Sequence, residues 1–205
     1  VDYLDITQKG KLPLLRPPQR EASDRAMQID AATRRNLELN RALSGGRAGS
    51  LLAAIDRTVT AGGARLLERR LSSPSRDLSV IHSRLAAVDF MAEQRLIAQD
   101  LREALRHVPD LDRALSRLAI DRAGPRDLAS IRSGLSQAET IARSLKSRDL
   151  PPLLSEACAH LSGHDVLLSL LDAALVAEPP LLARDGGFIA PGYDPDLDEA
   201  RQLRD

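Results

Sequence analysis

No tryptophan occurs in this chain of 205 residues, and aromatic residues make up only 2 % of it. That scarcity excludes an aromatic-rich β-sandwich and leaves Leu, Ala, Ile and Val to fill the interior, a composition that favours helix packing. The single cysteine, Cys158, excludes an intrachain disulfide and gives no sign of an oxidising compartment. Charge of one sign is missing as well. The 29 basic residues balance 29 acidic ones, so no global field draws the chain to nucleic acid or anionic lipid, and any such contact must be local. No apolar run approaches the ~20 residues of a membrane span, and no basic segment precedes an apolar one as in an export signal. The expectation is a cytoplasmic protein without a membrane partner. Lysine is confined to Lys9, Lys11 and Lys146. The planar guanidinium of the remaining basic residues suits phosphate, but codon bias is the favoured explanation of the Arg excess.

What is present is helical periodicity. A content of 43 % hydrophobic residues over this length supplies one sizeable domain or two small ones. Pro13, Pro17 and Pro18 mark a linker over residues 1–26. Met27 and Ile29 alternate with polar neighbours as in a short strand, and Asp30 then caps a helix expected to run to about Leu43, where Ser44-Gly45-Gly46 stops it. Ser50 caps a short helix to Ile55. Thr60 caps another, with Leu66, Leu67 and Leu71 on its apolar face, until Pro74. Gly62 and Gly63 in its first turn point to close approach by another element. Leu78, Ile81, Leu85, Val88 and Met91 trace an amphipathic helix after Asp77. The pattern repeats from Leu101 to Leu118, interrupted at Pro109 and restarted near Asp110.

Gly124-Pro125 opens a long helix through Leu128, Ile131, Leu135, Ala138, Ile141 and Leu145. Pro151-Pro152 begins a shorter one to Leu161, and Asp165 to Ala177, with Leu on more than one side, is expected to be buried until Pro179-Pro180. Asp185 to Ile189 reads as a turn into a short strand, and Asp194-Pro195 as cap and first residue of a final helix. The fold class is therefore all-α, a multihelical bundle of long amphipathic helices with at most short β segments near 27–30 and 187–190.

Candidate chemistry is thin. Cys158, His160 and His164 have no spacing that puts three ligands on one helix face, and they read as a half-buried Cys with two surface histidines. His82 and His107 stand apart from any triad-like partners. Asp110 with Asp112, and Asp196 with Asp198, sit at helix starts, where orphan N–H groups account for them. No G-x-x-x-x-G-K-[ST] phosphate loop occurs, and the pairs Gly45-Gly46, Gly62-Gly63 and Gly186-Gly187 match no dinucleotide fingerprint. The expectation is no catalytic, cofactor-binding or metal-binding residue. Arg34, Arg35, Arg65, Arg69 and Arg70 form a basic group suited to phosphates. With Glu38 and Glu68 nearby and no aromatic stacking partners, a solvated or ion-paired face is the favoured reading of the residues alone.

Three ordered stretches carry a resemblance: Met27 to Leu39 (MQIDAATRRNLEL), Ser50 to Pro74 (SLLAAIDRTVTAGGARLLERRLSSP) and Arg184 to Arg201 (RDGGFIAPGYDPDLDEAR). Each resembles the central core, or lever, region of the bacterial MutS mismatch-repair family, and together they cover nearly the whole chain. Arg70 departs from a Trp common before Leu71 in that family. The resemblance implies residues 1–26 as a linker into the core, 27–193 as the helical lever domain, and 194–205 as the start of the helix leading to a DNA clamp. It implies a fragment without the mismatch-reading and ATPase parts. ATP and Mg are then cofactors of the full-length protein only. Implied partners are the other MutS domains in cis, a second MutS subunit, and mismatched double-stranded DNA held through those other domains.

On this reading Arg34, Arg35, Arg65 and Arg69 are candidate DNA contacts. Thr58, Val59 and Thr60, with Gly187, Tyr193, Asp194 and Pro195, are candidate junctions that pass nucleotide-driven motion to the clamp helix. The alternative from another class is a freestanding helical interaction scaffold unrelated to DNA.

Overall fold

A computed structural model describes residues 26–204. The linker expected over 1–26 lies outside the described residues except for Ala26. The described residues are helical, with isolated β-bridges in place of a sheet. In order the helices are α1 (Ala31–Asn36), α2 (Leu51–Ile55), α3 (Ala61–Ser72), α4 (Leu78–Glu93), α5 (Arg95–Arg106), α6 (Leu111–Ala119), α7 (Pro125–Leu145), α8 (Pro152–Ala159), α9 (Asp165–Ala174) and α10 (Pro195–Arg204). A 3-10 turn at Ala183–Asp185 precedes α10. No described helix is long and apolar enough to cross a membrane.

Local capping explains where most of these helices begin. Side-chain oxygens of Asp30, Ser50, Thr60, Asp77 and Asp110 accept the orphan N–H groups of Thr33, Ala53, Gly63, Ser79 and Arg113. Asp194 accepts from the N–H of Asp196 and of Leu197 at 3.0 and 3.1 Å, with Pro195 at the first helical position.

Several expectations are corrected. α1 ends at Asn36, not Leu43. Glu38 takes a left-handed conformation (φ 49°), and the N–H groups of Glu38 and Leu39 return to the carbonyls of Arg35 and Arg34, a Schellman closure made without glycine. Gly45 and Gly46, both at positive φ, belong to a later turn. The strand expected at 27–30 is reduced to a bridge one residue earlier, Ala26 with Ser75. A Cβ at Gly63 would lie 2.8 Å from Thr60 Oγ1, so the close approach there comes from the helix's own cap. Gln94, at φ −92° and ψ 61°, separates α4 from α5 with no Gly or Pro to announce it. Along α4 the stripe expected to be buried is largely open, with Leu78 69 % and Val88 62 % exposed, while Ala87 is buried. Ile81 and Met91 of that stripe are half-buried, and the helix packs against α8. α9 ends at Ala174, before Pro179, and is not buried all round: Val166 is 88 % exposed, whereas Leu171 is buried.

The chain divides into two compact units. One comprises Val108–Thr140 and residues 161–204. Its core is Ala114 of α6, Ile131 of α7, Leu171 of α9 and Leu175, with Leu111, Leu128, Leu135 and Phe188 packed on them. The second comprises residues 26–107 and Ile141–His160. Its buried side chains include Leu39, Leu52, Ala87, Ile141, Ala142 and Leu145. Ser50 is buried there without penalty, because its hydroxyl donates to Arg47 O and accepts from Ala53 N. α7 contributes residues to both units, and its read stripe of Ile131, Ile141 and Leu145 is buried as its period requires.

Asp127 fixes the start of α7. Its Oδ2 accepts from Gly124 N–H at 2.8 Å and from Arg117 Nε at 2.9 Å. Burial by itself would raise its carboxyl, but the Gly124 hydrogen bond, then the Arg117 hydrogen bond and the charges of Arg117 and Arg113, outweigh it and hold the pKa below the usual carboxylate value. A carboxyl with a depressed folded pKa stabilises the fold above the unfolded value of about 4 and loses that contribution as pH falls through the depressed value. We therefore expect Asp127→Asn to flatten the acid limb of a plot of melting temperature against pH below about pH 4, where wild type falls. Parallel acid limbs would contradict this.

Candidate nucleic-acid interface and junction segments

The early end of α1 gives the basic residues their setting. Because the chain folds back at Glu38, Asn40, Arg41 and the Gly45-Gly46 turn come to lie beside α1 and α3. Together with Arg34, Arg35 and Glu68 they line a cleft of about 480 Å³. Arg34 is anchored: its Nη2 donates to the carbonyls of Ile29 at 3.2 Å and Ser72 at 3.3 Å, while its Nε is buried with no acceptor. Asn40 donates from Nδ2 to Glu68 Oε1 and to Ser72 Oγ, leaving its Oδ1 buried and unpartnered.

Of the four candidate DNA contacts, the structure brings Arg34 and Arg35 to this cleft. Arg65 and Arg69, on α3, do not line it. Among the described residues the nearby acids accept from neutral groups. Glu68 is taken by Asn40, and Glu38 Oε1 accepts the backbone N–H of Leu43 at 2.6 Å. Arg70 is half-buried with its Nε unpartnered, and burial, followed by the charges of Arg84 and Arg69, lowers its pKa from the ordinary arginine value. Arg41 and Asn40 escaped the sequence reading because both fell inside the helix expected to reach Leu43.

The junction candidates fall in two places. Thr58 is pinned by Asp56, whose Oδ1 accepts from Thr58 N at 2.9 Å and Thr58 Oγ1 at 2.7 Å; these bonds lead the causes that lower the Asp56 pKa. Asp56 also pairs with Arg47. Arg102 Nη1 donates to Arg57 O, and Thr60 caps α3, so the Thr58-Val59-Thr60 segment is held from both sides.

The second place is the segment before α10. Gly186 and Gly187 adopt positive φ, and Ile189 bridges Leu175, with Val176 N donating to Phe188 O and Ala190 N to Ala174 O. Tyr193 N donates to Ala190 O at 3.3 Å. α10 is tied back onto this segment: Asp198 Oδ2 accepts from Gly192 N at 2.6 Å, and Arg201 donates to Ile189 O and to Asp198 Oδ1, each at 3.0 Å. Arg132 of α7 then closes the other side, its Nη1 and Nη2 donating to the carbonyls of Leu175, Val176 and Ala177.

Cys158 Sγ approaches Ala142 O at 3.8 Å, His160 is the C-cap of α8 and His164 precedes α9, so the three sit at separate structural posts. Asp110 caps α6, and Asp112, Asp196 and Asp198 occupy first turns. Among the described residues no three of His, Cys, Asp and Glu are placed to hold a metal ion together.

The described residues thus define a helical module of two compact units, with a basic cleft in one of them. The chain matches MutS domain III over residues 32–204, and it belongs to that family. It is 73 % identical along its whole length to the DNA mismatch repair protein MutS of Ruegeria pomeroyi, and 68 % identical to those of Cereibacter sphaeroides and Paracoccus denitrificans. It spans 23 % of the length of these relatives.

Proposed function

We propose that this chain is the lever of a DNA mismatch-recognition protein, coupling the state of an ATPase elsewhere in the molecule to the helix that leads to a DNA clamp. One observation carries the reading. A continuous series of named contacts joins α10 to the segment before it, through Asp198 to Gly192 and through Arg201 to Ile189; Ile189 to Leu175; and the 175–177 carbonyls to Arg132 of α7. Rigid helices joined by short, specific ties transmit displacement as rigid bodies, because packed contacts tend to switch between discrete arrangements. Contiguous contacts make such coupling possible, and perturbation of them is its test. The Thr58-Val59-Thr60 segment is the second proposed junction, and Arg65 and Arg69 are proposed as peripheral DNA contacts on α3.

In this reading the partners are the remaining domains in cis, a second subunit, and mismatched duplex DNA, with ATP and Mg bound outside this part. The complete protein is expected to bind a mismatched duplex in preference to a matched one at fixed salt, and to release it when ATP is added. Equal affinity for the two duplexes, or binding indifferent to ATP, would contradict the reading.

A further inference from the structure

We propose that the cleft between α1, α3 and the 37–46 turn is a phosphate-binding site, with Arg34 as its fixed donor and Arg35 and Arg41 as its mobile ones. The inference goes beyond the lever reading and does not depend on it. Three guanidinium groups line the cleft against one carboxylate, that of Glu68. Among the described residues none of the three arginines makes an ion pair, and Glu68 is hydrogen-bonded to Asn40. The cleft is thus short of about two negative charges, which a phosphate dianion, or two adjacent phosphodiesters, supplies and one carboxylate does not.

Geometry points the same way. Two carbonyls hold the Arg34 guanidinium by Nη2, which fixes its plane, and its buried Nε is left with a hydrogen to donate and no acceptor. An unmet buried donor on a half-buried cation is costly, and a charge-assisted bond to an anionic oxygen relieves it. Asn40 Oδ1, buried and unmet, takes a hydrogen from a protonated phosphate oxygen or from its bound water. Arg35 and Arg41 are solvent-exposed, able to swing onto further oxygens. At Gly45 and Gly46 an added Cβ would meet no atom within 4 Å, so that side of the cleft is open to an entering group.

Phosphate chemistry has two sources here, a nucleic-acid backbone and a small phosphorylated molecule, and one pair of measurements separates them. Arg35→Gln/Arg41→Gln in the complete protein leaves the anchored Arg34 in place. If the source is a DNA backbone, the slope of log affinity against log salt falls by about 1 to 2 for matched and mismatched duplexes alike, since each lost phosphate contact removes about 0.9. If it is a small molecule, the salt slope is unchanged, and millimolar inorganic phosphate raises the melting temperature of wild type, relative to chloride at equal ionic strength, but not that of the double variant. The proposal is overturned if neither the salt slope nor the phosphate-induced shift depends on Arg35 and Arg41.

Discussion

Replacing Arg132 by Met is expected to speed amide exchange at Val176 and Ala190 by about 30- to 1000-fold, a local loss of about 2–4 kcal/mol. The side chain is only 14 % exposed, and its guanidinium serves three successive carbonyls, those of Leu175, Val176 and Ala177, at 3.2, 3.2 and 2.9 Å. These carbonyls follow the end of α9, where helix geometry supplies no partners, and a cation there also meets the negative end of the helix dipole. Methionine keeps much of the aliphatic stem and removes every donor. The Arg132 contact with Asp172 contributes little by comparison: the distance is 3.7 Å and Asp172 is 61 % exposed, so Asp172→Asn should cost less than about 1 kcal/mol. Equal effects of the two substitutions would show that the ion pair, not the carbonyl clamp, holds the 175–177 turn.

Gly134→Ala should destabilise the unit built on α6, α7 and α9 by about 1–3 kcal/mol, although the same change in an open helix interior gains up to about 1 kcal/mol. A Cβ at this buried position would lie 2.4 Å from Leu111 Cδ2, 2.8 Å from its Cγ and 2.9 Å from its Cδ1. The whole isobutyl group would have to move, and it is packed against the core of Ala114, Ile131, Leu171 and Leu175. Glycine in the middle of this 21-residue helix is therefore the socket for the first residue of α6. Denaturant unfolding of a double-mutant cycle checks this. With Leu111→Ala already present, adding Gly134→Ala should cost nothing or stabilise, a coupling of at least about 1 kcal/mol. Additive effects would contradict the socket.

These two residues mark a limit of sequence reading. Helix starts were legible because their determinants are local: Asp30, Ser50, Thr60, Asp77 and Asp110 each sit three or fewer residues from the N–H they accept. The long α7 and its buried stripe were legible for the same reason. The turn at Glu38 was not, because a left-handed residue without glycine carries no mark, and with it went the placement of Asn40 and Arg41 at the cleft. On α4 the read stripe is covered only in part, Ile81 and Met91 half-buried and Leu78, Leu85 and Val88 open, because what covers a helix face depends on neighbours such as α8 that are distant in sequence. Arg132 and Gly134 take their roles from partners distant in sequence, or from a side chain seated across a helix pair, which no period encodes.

The family match weighs against a scaffold unrelated to DNA, leaving the transmission role as the claim to test. The most direct test uses the complete protein with Asp198→Ala/Arg201→Ala, which cuts the ties between α10 and the 189–192 segment. Equilibrium affinity for a mismatched duplex without ATP and the rate of ATP-triggered release would be measured side by side. The account predicts unchanged affinity and a release rate altered several-fold, within the coupling range of about 0.5–2 kcal/mol. An unaltered release rate in a variant that folds and binds normally would contradict it.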